Sequence, residues 1–440
     1  MRVGVVGAGV TGLALVHHLR ERNVDVVALE ASGEPGGVVR SAEVEGRLLE
    51  YGPQRARLTS GIEALVDDVG LRDELLEADP GLPMYVYADG RLRVVPFSVG
   101  KFLTTDLLSW RGKLRLLAEP LTAPGSEDEM AAELFTRKFG REAYENLVGP
   151  LFGGIYGSDP AEMPAGYAPS PILKLEARAG SLLKPALKRA LKNERTPPVS
   201  FDGGLQRLPE ALYEANAAAV DLERPVEAVE AASDGYRLVT PDGMEIVDRV
   251  VVTTPADVSA DLLADLAPDA ADRLRELRYN PLALVHLAAD SDREGFGYQV
   301  RHDEDLRTLG VSWNASLFGP GPSGAGAANR EGVYTCFLGG MHDPAIFDED
   351  DETIGAIAAE EFEQVMETGA EVLDVSRLGR GFPAWDTSWR ALEGFEAPDG
   401  IYFATNYTDR MGLPGRVRQA ERLAEQFAGE DLRDAPARPA

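Results

Sequence analysis

Near its start the chain runs Arg2-Val3-Gly4-Val5-Val6, then Gly7-Ala8-Gly9-Val10-Thr11-Gly12, after which Leu13, Leu15, Val16 and Leu19 recur at helical spacings. The order strand, glycine turn, helix restricts what can follow more than any other feature of the sequence. A buried parallel strand continued by a crossover helix opens an α/β fold, so that is the expected class. Each glycine has its own reason. Gly7 permits the tight turn, Gly9 lets the backbone approach a pyrophosphate with no Cβ between them, and Gly12 lets the helix pack closely on the strand. Val10 and Thr11 open the helix, whose first N–H groups lack intrahelical acceptors and favour an anion. A second β-branched run, Val24 to Leu29, ends in Glu30, 18 residues after Gly12. A carboxylate there accepts hydrogen bonds from ribose hydroxyls and repels a 2′-phosphate, which disfavours NADP.

Composition removes several classes. The 440 residues suggest two or three domains at roughly 150 residues each. The 44% hydrophobic and 27% charged content is that of a soluble globular protein. Lys and Arg number 44 against 73 Asp and Glu, a net charge of −29, so general nucleic-acid binding is not expected. Cys336 is the single cysteine, which excludes an internal disulfide or a dithiol relay. No apolar run approaches the roughly 18 residues of a membrane span, and Met1 leads directly into a strand with no leader pattern. The expectation is a cytoplasmic protein. His17, His18, His286, His302 and His342 lack ligand spacing, so no metal is expected, and no residue is assigned as general base. Neither a Gly-x-Ser-x-Gly elbow nor a P-loop lysine motif occurs.

Further along, the periodicity predicts a helix over 61–77, a strand pair over 85–95 around Asp89-Gly90, and mainly helix over 101–195, broken at Pro120, Pro124-Gly125 and from Pro150 to Pro171. A helix is expected over 205–216, then strands at 226–229, 236–239 and 249–254, helix over 256–277, and strands at 282–288, 297–300, 308–313 and 333–338. Asp348 to Thr353 reads as an acidic helix start, and the last twelve residues as frayed. Gly324 to Asn329 follows a Gly- and Pro-rich loop, so a second nucleotide fold is not expected. Gly400 to Asn406 reads as a strand running into Met411-Gly412-Leu413-Pro414-Gly415 and a helix carrying Val417, Ala420 and Leu423. Such a helix start can aim N–H groups at a site where negative charge gathers.

After Glu30 the chain reads Ala31-Ser32-Gly33-Glu34-Pro35-Gly36-Gly37-Val38-Val39-Arg40, then Glu50-Tyr51-Gly52-Pro53. The run from Gly7 to Pro53 resembles the FAD-binding entry of the flavin amine oxidase superfamily, in which a second Gly-Gly and a nearby Arg close over the pyrophosphate. Further segments narrow the resemblance. Phe139-Gly140-Arg141-Glu142, the stretch from Asn146 to Tyr156, Phe201-Asp202-Gly203-Gly204-Leu205-Gln206, Phe337-Leu338-Gly339-Gly340 and Asn406-Tyr407 with Gly412-Leu413-Pro414 are similar, in order, to the protoporphyrinogen oxidase branch. The resemblance implies a Rossmann-like FAD-binding domain with an inserted α+β substrate domain. It places the FAD-binding domain at 1–80, 200–265 and 395–440, and the substrate-binding domain at 81–199 and 266–394. It implies FAD as cofactor, held also by Val226, Thr254, Asn406, Met411, Gly412, Leu413 and Val417. It implies oxidation of a porphyrinogen in heme formation, protoporphyrinogen IX or coproporphyrinogen III, by hydride transfer to flavin N5, with oxygen or another acceptor taking the electrons on. Lys101 is the nearest match to a basic side chain that holds a propionate, Phe337 to one apolar face of the macrocycle, and Gly157 to a position that makes room for the ring. Gln299 stands at the second apolar position as a polar departure.

An independent electrostatic reading agrees with an anionic tetrapyrrole. Segments 91–118 and 174–195 hold 13 of the 44 basic residues against Asp106, Glu176 and Glu194. That bias suits an anionic substrate or peripheral attachment to a membrane, and also a solvated basic helix face. The competing readings are an amine oxidase or carotenoid desaturase on the same fold, and a flavin-bound interaction protein without turnover. The sequence leaves oligomeric state open.

Overall fold

The structure, a computed structural model, describes residues 1–192, 195–322 and 324–434. Five parallel strands form one sheet, in the order Val220–Asp221, Asp25–Leu29, Arg2–Val6, Arg249–Val252 and Ile401–Phe403. Its central strands are nearly continuous valine because both faces are covered. Val3, Val5 and Val251 pack with Leu13 and Val16 of the helix Val10–Glu21 and with Val417 and Ala420 of the helix Leu413–Asp434. On the other face Val6, Val250 and Val252 meet Val229, Leu238 and Val247 of an antiparallel sheet built from Ala228–Ala232, Gly235–Thr240 and Gly243–Val247. A Cβ on Gly4 would lie 2.8 Å from Leu238, so the two layers meet without a gap.

A second, seven-stranded sheet runs in the order Ala370–Pro383, Tyr279–Ala289, Val333–Gly339, Thr308–Ser312, Gly297–Val300, Met84–Ala88 and Arg91–Val94. Its pairs are antiparallel except Gly297–Val300 beside Met84–Ala88. One face is sealed by the helix Asp351–Met366, which Asp350 caps by accepting from the Thr353 N–H at 2.8 Å. Ile354, Ala358 and Phe362 of that helix pack on Val285, Tyr298 and Cys336. The opposite face turns toward the segment that follows Glu50.

Several elements differ from expectation. The helix expected over 61–77 is Ser60–Asp68 only, because Gly70 at φ +73° turns the chain, and Leu75–Glu77 then pairs as a strand. The single helix over 256–277 is two, Ala256–Leu262 and Pro268–Glu276, with Pro268 opening the second. Pro150 does not break the helical run; it follows directly on a π-helical turn, Tyr144–Val148, where the regular hydrogen-bond ladder is already interrupted. The strands Gly243–Val247 and Ala370–Pro383 were not foreseen; the second is half exposed, so its pattern carries little apolar signal. The C-terminal helix continues to Asp434 where fraying was expected from 429, and 435–440 lie outside the described residues. Glu194 of the second basic segment lies outside them as well.

One buried ion pair ties these layers together. Glu50 and Arg330 are both fully buried and lie 3.1 Å apart. Glu50 also accepts from Ser41 Oγ at 2.5 Å and the Leu205 N–H at 3.1 Å, while Arg330 donates to Ser200 Oγ at 2.8 Å and the Phe201 carbonyl at 3.1 Å. Burial pushes the Glu50 carboxyl above its ordinary range, and Arg330 and Ser41 oppose that shift. Removing one partner strands a buried charge. We expect Arg330→Met to cost about 3–5 kcal/mol in urea unfolding, and Glu50→Gln with Arg330→Met to recover much of it. A single variant within about 0.5 kcal/mol of the parent would show that the pair does not hold the layers.

Candidate active site

The first helix begins hard against the first strand. A Cβ on Gly12 would lie 2.1 Å from the Gly7 carbonyl oxygen, and one on Gly7, which sits at φ +104°, would lie 2.6 Å from Thr253 Oγ1. Gly9 is different. Its backbone, at φ −66° and ψ 172°, suits any residue, and an added Cβ would meet nothing nearer than the Gly36 carbonyl at 3.9 Å. The fold itself therefore makes no demand for glycine at position 9; something seated in front of the helix would. Gly9 offers no side-chain cap, so the opening N–H groups at Val10 and Thr11 receive no side-chain acceptor there.

The other glycines close the same cradle. Gly36 N–H donates to the Ala8 carbonyl at 2.9 Å and bridges to Gly9, while a Cβ on Gly37 would lie 3.3 Å from Gly9 Cα. Gly52 fastens this loop from the other side, since its Cβ would fall 1.9 Å from the Val38 carbonyl. Glu30 is pinned at the rim: one oxygen accepts from the Ala8 N–H at 2.7 Å and the other from Ser32 N–H and Oγ, both at 2.9 Å. Backbone donors at a helix start, a carboxylate one strand away and space where a Cβ would stand fit an adenine dinucleotide.

The far end of the chain reaches this cradle. Leu413 and Val417 share a core with Val10, Leu13 and Val39, which sets the start of the C-terminal helix beside the first helix. Met411 accepts from Trp385 Nε1–H at 3.3 Å, and Trp385 stacks on Trp389 with centroids 3.9 Å apart. Gly412 is exposed and Asn406 half-buried. Tyr407 donates to Ser259 Oγ, which shares a hydrogen bond with Thr254 Oγ1, both at 2.8 Å. Arg416 is buried among the Thr405 and Arg410 carbonyls, and burial lowers its guanidinium to about 10. Val226 and Pro53 are half-buried, Ala31 is exposed, and Arg40 pairs with Glu34 at 3.2 Å, outside the glycine cradle's own contacts.

The open face of the seven-stranded sheet carries two parallel rows of side chains. Register sets Ser376, Leu284, Phe337, Gly310 and Gln299 in one row, and Asp374, His286, Thr335 and Ser312 in the next. The segment after Glu50 lies over the second row: Tyr51 stands edge-on to His286 with centroids 5.0 Å apart, and Gln54 accepts from Asn314 Nδ2 at 2.7 Å. Phe337 and Gln299 are thus neighbours across Gly310. Gln299 folds toward the helix Gly149–Tyr156, where a Cβ on Gly154 would fall 1.6 Å from its Oε1, and that oxygen has no hydrogen-bond partner. Gly157 ends this helix at φ +57°, and its carbonyl accepts from Asn280 Nδ2 at 2.8 Å; a Cβ there would press on Phe382 at 3.3 Å. Its glycine is explained by the turn and by Phe382. Beyond Gln299 the same register continues the row through Val86 to Arg93, and Lys101 lies at that far end, away from Phe337. It is exposed and lines a cavity of about 500 Å³ with Arg93, Tyr85 and Asp106. That cavity lies beside the edge strand Arg91–Val94, four strands from Phe337, a span of roughly 19 Å.

The histidines hold structural positions. His286 bonds Thr335 at 3.2 Å, His302 stacks on His342 at 4.2 Å, and burial lowers His286 and His302 to about 4. His17, Glu21 and Asp68 bring ligand atoms within 4.8 Å of one another. Asn216, fixed by Arg20 and the Leu212 carbonyl, donates to His17 Nδ1, so the Nε2 facing the two carboxylates carries the ring proton.

The family described as flavin-containing amine oxidoreductase matches residues 10–426, and the chain belongs to it. It is an FAD-dependent oxidoreductase. The chain is 32% identical to the chloroplastic protoporphyrinogen oxidase of rice, Oryza sativa subsp. japonica, over 71% of its own length, and spans 66% of that relative's. It is 27% identical to the coproporphyrinogen III oxidase of Staphylococcus aureus, over 97% of its own length and 99% of that relative's. A crystal structure from Exiguobacterium sp. 255-15 superposes with a TM-score of 0.78 at 24% identity, covering 98% of this chain and 99% of the other.

The glycines separate two roles that sequence merges. Gly9→Val is expected to fold with the thermal midpoint of the flavin-free parent and to purify with at least tenfold less flavin than the parent, read from absorbance near 450 nm. Equal flavin content would mean that the space at Gly9 is not used.

Proposed function

We propose that the chain oxidises a porphyrinogen to the porphyrin, with coproporphyrinogen III and protoporphyrinogen IX as the donors to test first. The near full-length match to a relative named for coproporphyrinogen III supports this reading, together with the arrangement of the second sheet. Phe337 presents a half-buried ring on a flat sheet face bounded by Gly310, the size of feature a macrocycle can stack upon. Bound FAD supplies the acceptor for the hydride leaving a meso carbon, and oxygen or another acceptor takes the electrons on. The chain's own contribution is position. Glu30, Gly9 and the first helix hold the dinucleotide end, the start of the C-terminal helix lies beside them, and the segment 51–54 runs from that cradle onto the second sheet. On this reading 1–80, 200–265 and 395–440 bind the cofactor and the two insertions bind the donor. Each hydride transfer is accompanied by loss of one proton from the donor, which passes to solvent.

Mixing the flavin-loaded protein with each porphyrinogen under anaerobic conditions is expected to bleach the 450 nm band within seconds, with porphyrin fluorescence appearing. Bleaching by putrescine or another amine, and by neither porphyrinogen, would replace this reading with amine oxidation.

A peripheral membrane contact belongs to the same proposal. Of the fifteen large apolar side chains exposed among the described residues, ten lie in 97–121 and 175–191, including Trp110, Leu114, Leu121 and Leu191. The helices Val99–Thr104 and Leu183–Lys192 pack together, and Lys184, Lys188 and Arg189 flank Leu187 and Leu191. An apolar patch ringed by cations on a chain of net −29 complements an anionic lipid surface. The protein should co-sediment with phosphatidylglycerol vesicles and lose at least fivefold of that binding at 0.5 M NaCl or with Leu187→Glu and Leu191→Glu together. Retention unaffected by either change would leave the patch without a lipid role.

A further inference from the structure

The segment that crosses the second sheet carries a cation for which the protein supplies no counter-charge. Arg55 follows Gln54 directly and is partly buried between the two layers. Its NH1 donates to Ser312 Oγ at 2.8 Å, and Ser312 Oγ in turn donates to Asn314 Oδ1 at 3.1 Å. The guanidinium lies over the Phe296 ring, 5.5 Å from its centroid, and Arg57 approaches the same ring at 5.8 Å. Among the described residues no carboxylate lies within ion-pair distance of either arginine, although the chain has 73 acids. Burial and the neighbouring Arg57 lower the Arg55 guanidinium to about 10, as expected where no acid offsets them.

Register then says where this charge points. Ser312 is two residues from Gly310 on the same strand and the same face, a separation of roughly 7 Å. Gly310 sits between Phe337 and Gln299. A flat ring resting on Phe337 would therefore have Arg55 at its margin, on the side of the flavin-binding layer. A planar guanidinium with one NH2 group already fixed by a hydroxyl is set to hold a carboxylate through its remaining donors.

We propose that Arg55 is the carboxylate anchor of the donor site, holding a propionate of the tetrapyrrole at the Ser312 end of the sheet. This assignment rests on the porphyrinogen reading above. It gives the work first expected of Lys101 to a residue that the fold carries from the cofactor cradle onto the face where Phe337 lies. An arginine on the segment that leads from the glycine cradle to the second sheet fixes the macrocycle at the Ser312 end, whereas Lys101 stands beside Arg93 at the opposite end of the row.

The test uses the flavin-loaded protein and three variants, Arg55→Met, Arg55→Lys and Lys101→Met. Equilibrium binding is read from the Soret shift and fluorescence of added coproporphyrin III, and turnover from anaerobic flavin bleaching by coproporphyrinogen III. Arg55→Met should weaken coproporphyrin binding and raise the KM by about 10- to 100-fold, the loss of a charge-assisted hydrogen bond, with kcat changed far less. Arg55→Lys should recover part of the loss, and Lys101→Met should leave binding within about twofold of the parent. The methyl ester of coproporphyrin, which lacks the anions, should bind parent and Arg55→Met alike.

Parent protein that binds and oxidises porphyrinogen while Arg55→Met does both with unchanged affinity would overturn the assignment and leave the donor class intact. Loss of flavin absorbance in Arg55→Met and Arg55→Lys alike would overturn it too, by moving the arginine into the cofactor site. Parent protein that ignores every porphyrinogen fails the donor class itself, whatever the variants do.

Discussion

The rest of the molecule depends on how closely the first helix approaches the first strand. With no Cβ at Gly12, the helix backbone settles against the Gly7 carbonyl, and the N–H groups of its first turn face the space that Gly9 leaves open. The closeness places Leu13 and Val16 on the sheet, where they make the surface on which the C-terminal helix packs. The helices Val10–Glu21 and Leu413–Asp434 pack together over that core. The cofactor cradle is a by-product of that packing as much as a device for binding.

A second constraint is electrostatic. Glu50 ends the strand Arg47–Glu50, which pairs with Ser41–Val44, and its ion pair with Arg330 is sealed from solvent together with Ser200 and Phe201. A buried pair of this kind is weak support for overall stability, since removing both charges is often tolerated. Its consequence here is directional. The residues immediately after Glu50 leave a fixed point, so Tyr51 meets His286 and Gln54 meets Asn314 with little freedom. Side chains within five consecutive residues thus join the segment after the glycine cradle to the face of the second sheet.

Much of the fold was legible from local pattern. The strand Arg2–Val6, the helix Val10–Glu21, the hairpin around Asp89-Gly90 and the helix opened by Pro414 follow from β-branched runs, glycine turns and proline at a helix start, all of which act within a few residues. The misses share a cause. Gly70 ends a helix whose apolar spacing continues, and Ala370–Pro383 pairs along a strand that reads as polar, because its partner Tyr279–Ala289 supplies the apolar side. Trp385 and Met411 lie 26 residues apart, and only the folded chain makes them partners.

By itself the sequence determined the glycine turn between the first strand and the first helix and the carboxylate beside it. Gly7, Gly9, Gly12 and Glu30 act through backbone sterics and hydrogen bonds within the first thirty residues, and such short-range demands are written in residue type. The tertiary structure alone decided which of the many basic side chains comes beside Ser312. Arg55 and Lys101 are both cations in polar surroundings as text; one is carried inward by the path from Glu50 to Ser312, the other outward on a short surface helix. Charge is a property of the residue, but what a charge can reach depends on strand register and layer packing, which arise from contacts hundreds of residues apart.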